Sequence, residues 1–315
     1  DSINITKDEI IIIPDGILTY LPFDVLLTSD VNQFGGYKLL PYLIKSKKIS
    51  YSYSLDFINA PTENFRITNR PVITILPDYH NPDRKGNEKI QFTSLKEREK
   101  ELQKLNKILP NIQQYKQLPK NLDLLEAILN KFSIIHFAGH ARIDDEHPFQ
   151  SYIYLGPNES PDYRSKLKLF NVLSLNIPNV EMLVLNACNT GIGDYLSGEG
   201  LISFAWAFHY AGCPSIIMNL NETDDYAAMK ILSIYYENLK KGASKSSALQ
   251  MAKLEYLESV PPSKTNPKFW SNTTLIGSTA PIYSPKWQNL FVYIAGVTLL
   301  LVLGFVFRKR LFKVL

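Results

Sequence analysis

Two short apolar runs, FSIIHFAGH (132–140) and EMLVLNAC (181–188), constrain this chain more than anything else in it. Each is about strand length and apolar almost throughout, as a strand buried on both faces must be. Each ends on a reactive group, His140 in one case and Cys188 in the other. Between and around such runs lie amphipathic segments. Leu122 to Leu129 and SLKEREKELQKLNKIL (94–109) read as helices, the second with Ser94 as N-cap and Glu97 completing a capping box. Gly198 to Ala211, Asp224 to Lys240 and Ser244 to Glu258 read as three more, and 167–175 as a short one. PVITIL, PSIIMNL and FWSNTTLIGS add strands, with a further strand over 48–53. IIIPDGILTYLPFDVLL (11–27) reads as two short strands around Pro14-Asp15-Gly16, then a helix from Leu21. Strands alternating with helices imply βαβ units, hence an α/β fold with a mostly parallel sheet and helices on both faces.

Composition removes several function classes. With 45% hydrophobic and 20% charged residues, the chain of 315 can bury a sizeable core and is not disordered. The formal charge of +4 is accounted for by Arg308, Lys309, Arg310 and Lys313, which leaves 1–307 neutral. A folded part without excess positive charge lacks the footprint of a nucleic-acid binder. Two cysteines form neither a disulfide framework nor a zinc site. A single bridge between Cys188 and Cys213 is an alternative only in an oxidising compartment. Nothing in the sequence calls for a cofactor or a metal.

The end of the chain carries its own signal. LFVYIAGVTLLLVLGFVF (290–307) holds no charge over 18 positions, the length of a membrane-spanning helix. Trp287 and Tyr293 flank one end and RKRLFKVL the other. The expectation is a domain over 1–280, a linker over 281–289, a single-pass helix over 290–307 and a basic tail over 308–315. The positive-inside bias puts that tail in the cytoplasm and the domain outside it. The chain opens on Asp1 and reads at once as folded sequence, so it is expected to be a processed form or fragment.

In open parallel sheets chemistry gathers beyond the carboxyl ends of the strands. Strands separated by one helix tend to be neighbours, so His140 and Cys188 could share a cleft, an imidazole beside a thiol. His140 follows Gly139 in what reads as the loop leaving the strand, where a ring is readily exposed. Taken alone, a cysteine such as Cys188 is more often a buried structural thiol than a nucleophile. His136 reads as a core residue, His147 and His209 as structural or surface groups, and Cys213 as buried. GIGDYLSGEG (191–200) matches no phosphate-loop pattern and reads as a flexible loop after Cys188.

HFAGHA, LNACNTG, GEGLISFAWAFHYAGCPSIIMNLNETDD, YYENLKKGASKSSALQMAKL and KFWSNTTLIG resemble, in order, the blocks of the CHAT domain, and IIIPDGILTYLPFDVL resembles its N-terminal block. That family belongs with the caspase-like cysteine peptidases, beside separases and metacaspases. The resemblance covers nearly all of 10–278 and implies a caspase-like three-layer α/β/α sandwich. It implies that Cys188 is the nucleophile and His140 the general acid/base of peptide-bond cleavage, with the backbone N–H groups of Ala141 and Cys188 as the oxyanion hole. It further implies that Asn186, Asp224 and Asp225 line the substrate pocket, where carboxylates would favour Arg or Lys before the cut. Two positions depart from the family pattern: Ala141 stands where glycine is usual, and Asn219-Leu220-Asn221 where Ser-Leu-Trp is common. Partners implied are a protein substrate, the membrane, and tetratricopeptide repeats upstream of Asp1. The function expected is a membrane-anchored cysteine endopeptidase of bacterial type. A catalytically silent CHAT-like scaffold or signalling module is the alternative from another class.

Overall fold

In the computed structural model, which describes residues 7–59, 71–77, 95–109, 111–144, 146–156, 165–188, 198–221, 224–283 and 298, the apolar runs become the middle of one mixed sheet of ten strands. In chain order these are β1 Glu9–Ile12, β2 Lys48–Tyr51, β3 Val72–Ile75, β4 Ile112–Tyr115, β5 Ile134–Arg142, β6 Tyr152–Gly156, β7 Ser165–Lys168, β8 Met182–Cys188, β9 Ser215–Asn219 and β10 Thr273–Gly277. The helices are α1 Leu55–Asn59, α2 Leu95–Ile108, α3 Leu122–Leu129, α4 Leu169–Val172, α5 Gly198–Tyr210, α6 Asp225–Lys240 and α7 Lys245–Ser259.

The main path runs β1-β2-β10-β9-β8-β5-β3-β4, and β6 with β7 extends from the end of β5. Neighbours along the path are parallel, except at the β9–β10 seam, which is antiparallel. The strand period of two sorts side chains onto two faces. Leu183, Leu185, Ile216 and Met218 join one core with α3, α4 and α5. Met182, Val184 and Ile217 join the other with α2, α6 and α7. The sheet is thus covered by helices on both sides, the arrangement that the continuous apolar runs demand.

Local chemistry sets the helix starts. Asn121 caps α3 by accepting from the Leu124 N–H at 2.8 Å, and Ser244 caps α7 from the Ser247 N–H at 3.2 Å. At the far end of the seam, Gly277 has φ +89°, and a Cβ there would lie 2.2 Å from the Pro214 carbonyl oxygen. Only glycine lets β10 close onto the residue before β9.

Several sequence expectations are corrected. The second strand expected within 11–27 is a 3₁₀ turn over Gly16–Tyr20, followed by another over Phe23–Val25. Gly16 has φ +54° and its N–H is held by the Asp15 carboxylate at 2.9 Å, so the chain turns instead of extending. The helix expected over 167–175 yields its first residues to β7, which pairs antiparallel with β6, and shrinks to Leu169–Val172. The last strand starts at Thr273, because Pro267–Phe269 forms a 3₁₀ turn. Neither β4 nor β6 was anticipated. Ser94 and most of the 191–200 loop lie outside the described residues. So does the stretch 290–307 read as a membrane helix, apart from Thr298, together with the basic tail over 308–315. Among the described residues no helix is long and apolar enough to cross a membrane.

The N-terminal segment is fastened to this frame by a buried ion pair. Lys253 Nζ on α7 lies 3.1 Å from Asp24 Oδ2 and also donates to the Ser271 carbonyl at 3.1 Å. Both side chains are almost wholly buried. Burial pushes the Asp24 carboxyl up and the Lys253 ammonium down, while the mutual attraction opposes both shifts. Removing one partner strands a buried charge. Lys253→Met is therefore expected to cost about 3–5 kcal/mol in urea unfolding, with Asp24→Leu/Lys253→Met recovering much of it. A double variant no more stable than the single would contradict this.

Candidate functional site

β5 and β8 pair in parallel over seven rungs, from Ile134↔Met182 to His140↔Cys188. The last rung sets the two residues directly across from each other, on backbones ~4.8 Å apart. This pairing of neighbouring strands, inferred from sequence spacing alone, is the central geometric fact of the site.

The setting of His140 differs from expectation. It is a strand residue, 2% exposed, and not part of an exit loop. β5 continues past Gly139 because β6 pairs with it antiparallel, through Ala141↔Ile153 and Arg142↔Tyr152. Ala141 is buried in the core, and its backbone is not among those with positive φ. Alanine in place of glycine therefore imposes no strain here.

Beside this rung the sheet edge is floored by amides. Asn219 ends β9 one strand away, and its amide nitrogen lies 3.5 Å from Asn186 Oδ1. Asn219 Oδ1 accepts from the Thr273 hydroxyl at 2.8 Å. Asn221 donates to Asn272 Oδ1 at 3.3 Å. Sequence reasoning singled out Asn186 but missed the Thr273 and Asn272 partners. The available signal was SNTT, a polar run entering an otherwise apolar strand.

Asp224 and Asp225 stand at the start of α6, beyond β9 and hence on the same edge. Asp224 is the N-cap: Oδ1 accepts from the Ala227 N–H at 3.0 Å, and Oδ2 lies 3.1 Å from Lys264 Nζ. Lys264 in turn sits 4.4 Å over the Phe269 ring. Asp225 is the exposed first residue of the helix. Two carboxylates at a helix N-terminus are favoured by its dipole whatever else they do.

The remaining candidates separate cleanly. His136 is fully buried, its Nδ1 3.0 Å from the Tyr236 hydroxyl, as the sequence reading expected. His147 is a surface group near Asp144. His209 packs edge-on to Phe57 at 4.5 Å, and burial holds its imidazole below the usual range. Cys213 is a free, buried thiol that donates to the Ser215 carbonyl at 3.3 Å. Burial pushes it up to about 12, which leaves no thiolate for chemistry at neutral pH.

A family model, the CHAT domain, matches residues 2–278. A comparison with the curated proteins returned no match. Among solved structures, the Arg-specific cysteine proteinase gingipain R aligns at TM-score 0.41 and 13% identity, covering 68% of this chain and 47% of that one. A complex of the pro- and mature domains of RgpB from Porphyromonas gingivalis gives 0.41 and 14%, covering 68% and 48%. The separase–securin complex of Saccharomyces cerevisiae gives 0.43 and 15%, covering 77% and 14%. The chain thus spans less than half the length of either of these peptidases. The family match extends over the whole described sheet, from β1 to β10, and this chain belongs to the CHAT domain family.

Proposed function

We propose that this protein is a cysteine endopeptidase that works through His140 and Cys188. The observation that carries the reading is the shared last rung of β5 and β8. The imidazole of His140 takes the Cys188 thiol proton, and the thiolate attacks the peptide carbonyl. Negative charge develops on that oxygen and is met by the backbone N–H groups of Ala141 and Cys188. The imidazolium returns its proton to the leaving amine as the C–N bond breaks. Water, deprotonated by the same imidazole, then cleaves the thioester and restores the thiol.

Asn186, Asp224 and Asp225 form the pocket for the residue before the cut, and their charge favours Arg or Lys. The apolar stretch 290–307 anchors the domain, with 308–315 in the cytoplasm and the peptidase on the opposite side. Upstream repeats or a bound partner gate the activity.

With its activating repeats or partner present, the purified chain should cleave basic reporter peptides and react with an Arg-directed covalent probe. Cys188→Ala should abolish both, and His140→Ala should lower kcat/KM by about 10²–10⁴. Equal behaviour of wild type and Cys188→Ala, with partner present, would instead support a silent scaffold. The pocket acid can be separated from the helix cap, because asparagine caps as well as aspartate. Asp224→Asn should change stability by less than about 0.5 kcal/mol yet erode the preference for basic over neutral peptides, while Asp224→Ala should also lose about 1 kcal/mol in urea unfolding. An undiminished basic preference in Asp224→Asn would take that residue out of the pocket.

A further inference from the structure

One residue beyond His140, at Ala141, β5 becomes the first strand of a small antiparallel sheet with β6 and β7. One face of it is apolar: Ala141, Ile153, Leu155 and Leu167 are buried in the core against α3, α4 and α5. The opposite face carries a different chemistry. Arg142 pairs with Tyr152, Tyr152 with Lys168, and Tyr154 with Lys166. Residues directly across an antiparallel pair share a face, as do residues two apart along a strand. Three cations and two phenols therefore occupy the face that also bears His140.

The phenols are the floor and the cations are what solvent meets. Tyr152 is 8% and Tyr154 3% exposed, whereas Arg142 and Lys166 are exposed and Lys168 is half-buried. The hydroxyls of Tyr152 and Tyr154 lie 3.0 Å apart, with the rings edge to face. Lys166 Nζ sits 4.1 Å over the Tyr152 ring, and Lys168 Nζ donates to Gln150 Oε1 at 2.7 Å. Among the described residues neither lysine meets a carboxylate in these contacts. On the adjoining loop, Asp144 accepts from the His147 N–H at 2.8 Å and lies 3.7 Å from its ring nitrogen Nδ1.

The groups around Tyr152 set the sign of the local potential. Burial pushes its phenol up, yet hydrogen bonds from Tyr154, Lys166 and Arg142, with the charge of Lys166, hold it below its ordinary value. Surroundings that stabilise a phenolate oxygen also stabilise a carboxylate. Arg142 is ~7 Å along the strand from His140, and β7 lies two strands over, ~10 Å to the side. An extended peptide at ~3.3 Å per residue covers that span in about two to four residues.

We propose that Arg142, Lys166 and Lys168 form a subsite for an acidic side chain of the polypeptide substrate, about two to four residues from the bond that is cut. The assignment rests on the reading of His140 and Cys188 as the peptide-cleaving pair, and it adds a second charge requirement to the basic one. The ring faces under Lys166 hold the ammonium in place, so less side-chain entropy is lost on binding.

The test uses the full chain carrying Cys188→Ala, which binds peptide without needing to cleave it. Fluorescent peptides hold one Arg, with Glu or Gln placed two, three or four residues away on either side. Anisotropy should show the best Glu peptide binding about three- to tenfold tighter than its Gln twin, with the gap shrinking as salt rises. Lys166→Met/Lys168→Met should erase the gap, and Lys166→Glu should transfer the preference to a peptide with Lys at that place. Equal affinity for Glu and Gln peptides, or a Glu preference that survives the double variant, overturns the proposal. A Glu preference that disappears as expected, in a wild-type chain that cleaves nothing even with its activating repeats or partner present, would sink the peptidase reading and leave the acidic subsite standing.

Discussion

The in-register parallel pairing of β5 with β8 is the constraint on which the rest depends. Seven rungs of backbone hydrogen bonding fix the relative height of two strands that are far apart in sequence. A slip of one residue would move every side chain of a strand to the opposite face. Because each face is packed against its own set of helices, that slip would turn Leu183 and Leu185 toward α2, α6 and α7, and Met182 and Val184 toward α3, α4 and α5. Hydrophobic packing in the middle of the sheet thus acts as a ruler for its end. His140 and Cys188 are set level by the apolar residues earlier in the same two strands.

The same edge has to satisfy polar groups that the core cannot. Asn219 and Thr273 are both buried and answer each other at 2.8 Å. Asp224 spends one oxygen on the first turn of α6 and offers the other to Lys264. Deeper in the frame, Lys253 and Asp24 neutralise each other under full burial, and that pair binds the N-terminal segment to α7. Lys245, at the start of α7, is pushed down to about 8 by burial, with the charge of Glu181 pulling it back up. Each of these buried polar groups is answered inside the fold, which limits the arrangements its surroundings can take.

What was legible in the sequence follows from the range of the forces involved. β8, β9, α3, α6 and α7 announce themselves through local signals: an apolar run, a helical period, a cap residue. Their bounds agree closely with expectation, Leu122–Leu129 completely. β4 reads IQQY and β7 reads SKLK, short strands whose polar residues hide the pattern. What makes them strands is a partner elsewhere, Val72–Ile75 in one case and β6 in the other. His140 was misplaced into a loop for the same reason. Gly139 looks like a break, and only the distant pairing with Ile153 and Tyr152 shows that the strand continues. The acid pair at 224–225 was visible, but not that Lys264, forty residues on, shares its charge. The family resemblance, quoted block by block from the sequence, agrees with the family match over 2–278.

The central proposal is that the imidazole of His140 activates the thiol of Cys188 because one rung holds the two residues together. It is tested most directly by the pH dependence of Cys188 alkylation with iodoacetamide, read by mass spectrometry in wild type and His140→Ala. Buried Cys213 serves as the unreactive internal control. The account predicts a wild-type inflection below about 7.5 that moves toward the free-thiol value of about 8.5 when the imidazole is removed. Superimposable profiles for the two proteins would contradict it.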